Sequence, residues 1–174
     1  VVFYIAASYL TSGLLAVVFS TIVVMNMFGA ALIFGTPMRR RVVAGAGIGL
    51  TGMALLFWPE LRGFDLSSDG VIGLGLSLFA TAFVSAGNLI SARNQRAGLG
   101  VMETNAVGMS YGAAFTALFA LLNGDPFLFD TSIAYIGSLL YLAVPGSVIA
   151  FWCYLTLLGR IGAGRAAYAM VLFP

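Results

Sequence analysis

Charged side chains are the scarcest class in this 174-residue sequence. Aspartate, glutamate and arginine together make up 8% of it, whereas hydrophobic residues make up 61%. An ordinary globular chain carries about 25% charged residues, which solvate its surface. Because so few charges cannot coat a water-soluble protein of this length, we expect most of the surface to face lipid.

Histidine and lysine are absent, and Cys153 is the one cysteine. Without histidine, the chain lacks the commonest general base and metal ligand. A single cysteine excludes a disulfide within the chain. No carboxylate, histidine or cysteine pair lies at membrane depth, so the sequence predicts no enzyme, cofactor or metal site. Nucleic-acid binding is not expected either, because no basic stripe with interleaved aromatic residues is present.

Long apolar runs fill most of the sequence. Five of them are long enough for helices to cross a hydrocarbon core of about 30 Å. They are Gly13–Phe34, Val42–Trp58, Gly70–Ala92, Val101–Leu122 and Ser132–Leu158. Partial runs begin at Val1 and end at Pro174, so we expect a piece of a longer bundle. The predicted fold class is all-α, a polytopic transmembrane helix bundle.

The placement of arginine predicts how this bundle is oriented. Seven of the eight arginines fall in alternate loops, at 36–41, 93–100 and 159–165. The intervening loops hold Arg62 together with Glu60, Asp65, Asp69, Asp125 and Asp130. Since cytoplasmic loops of membrane proteins are enriched in arginine and lysine, the three arginine-rich loops are predicted to be cytoplasmic.

Two glycine patterns favour close helix packing over ligand binding. Gly47–Gly52 matches the G-x-G-x-x-G dinucleotide pattern, which requires a strand before it and a helix after it. Here the pattern lies inside an apolar run, where Gly45 and Gly49 instead form a small-xxx-small pair. A second stripe of small residues, with a period of four, predicts close packing of another helix: Thr104, Gly108, Gly112 and Thr116.

Polar residues on one helix face are the main functional signal. Their steps of 4, 4 and 3 place Ser77, Thr81, Ser85 and Asn88 on one side of the Gly70–Ala92 helix. Such a stripe is unfavourable against lipid, so we expect it to point into the bundle. It predicts either interhelical hydrogen bonds or the wall of a water-filled path.

Two other helices add candidates at useful depth. Ser20 and Asn26 lie in the Gly13–Phe34 run, and a further face is formed by Ser138, Tyr141, Pro145 and Trp152. Pro145 and Gly146 predict a loosened helix near mid-span, as is common at transporter sites. The candidate substrate-binding residues are therefore Ser20, Asn26, Ser77, Thr81, Ser85, Asn88, Tyr141 and Trp152. Glu103 is predicted to cap its helix, with proton coupling as the alternative.

The sequence resembles the EamA-type transporters of the drug/metabolite transporter superfamily. The resemblance is carried by three stretches, Tyr4–Phe19, Gly45–Trp58 and Leu158–Pro174. It implies two repeats of five helices, with this chain running from late in the third helix to midway through the ninth. On that template, residues 1–59 end the first repeat, 60–69 form the inter-repeat loop and 70–174 begin the second repeat. Val24 stands where the family usually has a proline, which implies a straighter fourth helix.

The expected function is that of a membrane carrier. We expect it to move a small polar metabolite by alternating access in a bacterial plasma (inner) membrane, and the resemblance implies efflux of an amino acid or metabolite. The expected partners are a small-molecule substrate and the lipid bilayer. The sequence leaves open whether a proton or other coupling ion takes part and whether the chain forms a homodimer. The alternative is a non-transporting membrane scaffold or accessory subunit, which requires the polar stripe to be fully paired between helices.

Overall fold

Helices account for nearly all of the chain that the structure describes. The computed structural model describes residues 2–38, 40–64, 68–124, 128–166 and 168–171, and none of these lies in a β-strand. In chain order the helices are α1 (Val2–Ala6), α2 (Ser12–Ser20), α3 (Ile22–Phe34), α4 (Arg40–Leu56), α5 (Trp58–Arg62), α6 (Ser68–Arg96), α7 (Val101–Asn123), α8 (Ile133–Ala143), α9 (Ala150–Ile161), α10 (Ala163–Ala166) and α11 (Tyr168–Val171). The predicted all-α class is confirmed. Of the residues singled out above, Val1, Arg39, Asp65, Asp125 and Pro174 lie outside the described residues.

Most of the predicted spans form helices of sufficient length. In the described part of the chain, four stretches are long and apolar enough to cross a membrane: Ser12–Phe34, Asp69–Arg96, Val101–Asn123 and Ile133–Ile161. The other predicted span corresponds to α4, whose 17 residues cover only about 25 Å. Pro59 follows this span and lies in the first turn of α5, where its missing N–H leaves no bond unmade.

The long stretch formed by α2 and α3 is interrupted at Thr21, which separates the two helices. The straighter helix expected without the family's proline stays a prediction. The hydroxyls of Ser20 and Thr21 donate to the carbonyls of Val17 and Val18, each at 2.6 Å. Side-chain bonds of this kind compete with the backbone ladder and bend helices. The interruption therefore has a local cause that does not need the family's proline.

The packed part of the molecule is built around α6, which contacts α1, α2, α3 and α9. The largest apolar cluster joins α3, α6, α9 and α10 through Ala30, Leu89, Ala92, Leu158, Ala163 and Ala166. Small residues allow close approach here: a Cβ on Gly29 would lie 2.3 Å from Cδ1 of Leu89. On α4, a Cβ on Gly45 would lie 3.0 Å from the hydroxyl oxygen of Tyr168, as the small-xxx-small pair predicted.

The helices α7 and α8 form the open part of the molecule. Neither contains a buried residue among those described. A Cβ on Gly108 or Gly112 would meet nothing within 4 Å, so the prediction that this stripe is closely packed is wrong within the described residues. At the start of α7, a Cβ on Gly100 would lie 1.8 Å from Oε2 of Glu103. The Glu103 carboxylate therefore folds back over the start of its own helix, which is the position of a cap.

A π-helical segment, Val144–Ile149, joins α8 to α9. Pro145 has no N–H to offer the ladder, and the Ser147 hydroxyl donates to the carbonyl of Leu142 at 2.9 Å, five residues earlier. The loosening predicted from Pro145 and Gly146 is therefore confirmed. Proline and a π segment are both recognised causes of helix kinks.

Candidate functional site

The polar side chains buried in the described part of the chain come together along α2, α3 and α6. They are Ser20, Asn26, Ser77, Thr81, Ser85 and Asn88, each at most 4% exposed. We call these six residues the polar cluster. All six had been selected from the sequence, and the stripe on α6 points into the bundle as predicted. Their role in substrate binding stays a prediction.

The contact between Asn26 and Ser85 joins two of these helices. The Ser85 hydroxyl on α6 donates to Oδ1 of Asn26 on α3 at 2.7 Å, and Asn26 is completely buried. The amide nitrogen of Asn26, which carries two N–H donors, has no hydrogen-bond partner among the residues that the structure describes. A buried polar group left unsatisfied costs about 1–3 kcal/mol, so such atoms are rare and call for an explanation.

Asn88 makes the second connection between helices. Its amide nitrogen donates to the hydroxyl of Tyr154 on α9 at 3.1 Å. Tyr154 was not selected from the sequence, although it lies beside the buried Leu155 and four residues before the buried Leu158. Periodicity of α9 around those two leucines was the signal that could have placed Tyr154 on the inner side of the helix.

The remaining hydroxyls of the polar cluster bond within their own helices. Ser20 donates to Val17, Ser77 to the carbonyl of Leu74 at 3.0 Å, and Thr81 to the carbonyl of Ser77 at 2.7 Å. Their protons are therefore engaged, while their oxygen lone pairs still face the interior as acceptors. Within the described residues, the stripe is therefore only partly paired between helices.

Gln95 and Gly159 fasten the end of α6 to α9 and were also missed by the sequence reasoning. The Gln95 amide donates to the carbonyl of Leu155 at 2.9 Å and to the Ser91 hydroxyl at 3.3 Å. A Cβ on Gly159 would lie 1.9 Å from Oε1 of Gln95, so only glycine leaves room for this contact.

Tyr141 and Trp152 do not join the polar cluster. Tyr141 is 67% exposed and Trp152 is 47% exposed, on α8 and α9. Ser138, which shares their face, is also exposed and donates to the carbonyl of Tyr135 at 2.9 Å. All three side chains are exposed, and no described helix covers them. Their grouping on one face stays a prediction.

Asp130 is a carboxylate outside the membrane-spanning segments with a defined role. Its two oxygens accept hydrogen bonds from the backbone N–H of Ser132 at 2.8 Å and from the Ser132 hydroxyl at 2.9 Å. These bonds favour the charged form and lower the pKa of Asp130 below its ordinary value. Ser132 in turn caps α8 by accepting from the N–H of Tyr135. Asp130 and Ser132 together therefore fix the start of α8.

Comparison with known proteins identifies the family. The model of the EamA-like transporter family matches residues 72–174, which is more than half of the chain. No curated protein and no solved structure matches. The matched region contains α7, α8, α9 and nearly all of α6, with the stripe from Ser77 to Asn88. This chain therefore belongs to the EamA-like transporter family and is an integral membrane protein of the transporter class.

Proposed function

We propose that the protein is a carrier that moves a small polar metabolite through the polar cluster by alternating access. The observation that carries this proposal is the unpartnered amide nitrogen of Asn26, in a residue that is 0% exposed. A packing role alone gives no reason to keep two buried donors unmatched. A transported oxygen atom, passing through when the path opens, supplies the missing acceptor.

The substrate class follows from the donors and acceptors of the cluster. Asn26 offers N–H groups, whereas the oxygens of Thr81 and Ser77 offer acceptors about one and two helical turns from Ser85. A molecule with both an anionic or carbonyl oxygen and an amino group satisfies both sets. Amino acids and related metabolites have this chemistry, and the family resemblance favours their export.

The orientation of the carrier is part of the same proposal. The loop 36–38 and the arginines Arg96, Arg160 and Arg165 line one cavity, so the predicted arginine-rich loops meet at one end of the bundle. We assign this end to the cytoplasm of a bacterial inner membrane, because arginine accumulates on that side. Between this end and the polar cluster lies the apolar layer of Ala30, Ala92 and Leu158. The path is therefore closed toward the cytoplasm in this conformation.

Substitution of Asn26 tests the proposal most directly. The full-length protein is reconstituted in proteoliposomes loaded with an amino-acid mixture, and counterflow of each labelled amino acid is measured. We expect Asn26→Leu to lower counterflow about tenfold or more, since hydrogen bonds to a charged group contribute about 1.5–3 kcal/mol. Asn105→Leu is the matched control, because among the described residues the Asn105 side chain on α7 hydrogen-bonds only to Sδ of Met109, at 3.8 Å. Equal counterflow by both variants would contradict the role of Asn26.

The scaffold alternative is tested at Thr81, which is 0% exposed. Thr81→Cys is placed in a Cys153→Ala background and treated with a water-borne thiol reagent during transport. A carrier that opens to water at the cluster is labelled there, and substrate slows the labelling. Complete protection of Cys at this position, in protein that inserts normally, supports the scaffold.

Asn88→Leu is expected to abolish transport as well, since it removes the bond to Tyr154.

A further inference from the structure

A cavity of about 350 Å³ lies at the arginine-rich end of the bundle, outside the polar cluster. Its polar wall is formed by Arg96 at the end of α6 and by Arg160 and Arg165 on either side of the turn between α9 and α10. Its apolar floor includes Ala30, Ala92 and Leu158, and the loop 36–38 closes one side. We call it the arginine cavity. Its volume lies at the lower end of the range of small-molecule sites, about 300–1,000 Å³.

In the part of the chain that the structure describes, the three guanidinium groups have no partner of opposite charge. Among the described residues none of them takes part in an ion pair, and no carboxylate lines the cavity. Glu103, seven residues after Arg96 in the sequence, is instead folded over Gly100 at the start of α7. Three cations that converge without a counter-charge repel one another, and an anion in the cavity relieves that repulsion.

Arg96 is held in place for such a role. Its guanidinium carbon lies 4.0 Å from the ring centroid of Phe34, in a cation–π contact. Stacking on a ring uses the flat face of the guanidinium and leaves the N–H donors at its edge free. Because the side chain is already ordered, less conformational entropy is lost when those donors bind an anion.

The turn that carries the other two arginines depends on Gly162. Its φ of 88° is a left-handed backbone conformation that L-residues with side chains rarely adopt. The Gly162 N–H donates to Leu158 at 2.9 Å, and its carbonyl accepts from the N–H of Arg165 at 3.1 Å. This reversal brings Arg160 and Arg165 to the same cavity although they are five positions apart in the sequence.

We propose that the arginine cavity binds a phosphate group through Arg96, Arg160 and Arg165. Arginine forks match the geometry of phosphate oxygens, and a phosphate has enough oxygens to engage several forks, whereas a carboxylate has two. The group comes either from the headgroup of an anionic phospholipid or from a soluble phosphomonoester. The inference does not depend on what the polar cluster transports, since it concerns a different site and a binding readout.

The experiment uses the full-length protein in two arms. In the soluble arm, glycerol phosphate is titrated at constant ionic strength into protein in phosphatidylcholine nanodiscs, and the thermal midpoint is followed. In the lipid arm, phosphatidic acid replaces part of the phosphatidylcholine, and bound lipid is counted by native mass spectrometry. A response in either arm or in both supports the site. A response in one arm alone identifies the source, and a response in both shows that the site accepts either one. A lack of response in both arms overturns the proposal.

Matched arginine variants separate this site from general attraction to positive charge. Arg160→Gln and Arg96→Gln are expected to weaken binding about tenfold each, since each removes a charge-assisted contact. Arg93→Gln is the control, because Arg93 is exposed on the same end of α6 but does not line the cavity. We expect its affinity to change less than about twofold. An equal loss of affinity in Arg93→Gln and Arg160→Gln overturns the proposal. If Arg96→Gln folds poorly, the test rests on Arg160→Gln, because Arg160 is exposed and its substitution disturbs no packing.

Discussion

The polar faces of α6 and of the α8–α9 helix have similar sequence patterns and different surroundings. On α6, the face with Ser85 and Asn88 is buried against α3 and α9, with at most 4% of either residue exposed. On α8 and α9, the face with Tyr141 and Trp152 remains open, at 67% and 47% exposure. Periodicity therefore groups side chains on a face, but only the neighbouring helices decide which face lies inside.

The difference also shows in how the polar groups are satisfied. Ser85 and Asn88 on the buried face bond across to other helices, whereas exposed Ser138 bonds only to the carbonyl of Tyr135 in its own helix. A bond across helices fixes their relative position and removes a buried polar group from an apolar environment. Changes on the two faces should therefore have unequal effects.

The largest expected effect comes from a side chain added at Gly73, one turn before Ser77. A Cβ there would lie 2.7 Å from Cβ of Tyr9 and 2.9 Å from Cγ of Leu10, neither of which can rotate away easily. We expect Gly73→Leu to lower the free energy of unfolding by about 1–3 kcal/mol or more. A Cβ on Gly137 of α8 would meet nothing within 4 Å. Gly137→Leu should therefore change the free energy of unfolding by less than about 0.5 kcal/mol. Denaturant titration in bicelles measures both, and similar losses would contradict the contrast between faces.

A smaller effect is expected from the contact between Ser85 and Asn26. A double-mutant cycle of Ser85→Ala and Asn26→Leu should give a coupling of about 0.6–1.7 kcal/mol, the range measured for hydrogen bonds between membrane helices. Ser138→Ala on the open face should leave the unfolding free energy within about 0.5 kcal/mol of the parent. Zero coupling in the cycle would mean that Ser85 and Asn26 find equivalent partners when separated.

Pro145→Ala tests the open helix without altering its contacts with other helices. The substitution restores an N–H donor, so we expect the π segment to become regular α-helix. Because this segment contacts mainly its own helix on either side, the thermal midpoint should change little. Hydrogen exchange measured by mass spectrometry should show slower exchange across Val144–Ile149. Unchanged exchange there would show that proline does not maintain the π segment.

The smallest effect is expected at Asp130, which is fully exposed. Its pKa is lowered in the folded state by the bonds from Ser132, so its contribution to stability is present above the ordinary carboxyl pKa. That contribution is lost as the pH falls through the lowered pKa. Asp130→Asn should therefore reduce the protection of the Ser132 and Tyr135 amides from hydrogen exchange at neutral pH. In this variant, lowering the pH should no longer change that protection. A parent protein whose protection at these amides does not change on acidification would contradict this account.

The sequence predicted the helical class, the extents of the long spans and the members of the polar cluster. These features depend on local properties, namely run length, the period of 3.6 and the unfavourable exposure of polar groups to lipid. Tyr154 and Gln95 escaped prediction because their roles depend on partners 66 and 60 residues away in the chain. The packing predicted for Gly108 and Gly112 was wrong for the same reason, since small residues permit a close approach without supplying the neighbour.

The amino-acid sequence by itself determined that this protein is a membrane helix bundle with a polar stripe on α6 and with arginine concentrated in alternate loops. Composition and periodicity are sufficient for these conclusions because the bilayer penalises every polar group that faces it. Only the tertiary structure decided that Asn26 meets Ser85 while keeping two donors unmatched, and that Arg96, Arg160 and Arg165 share one cavity. Such contacts depend on how separate helices are placed against each other, and no local pattern specifies that placement.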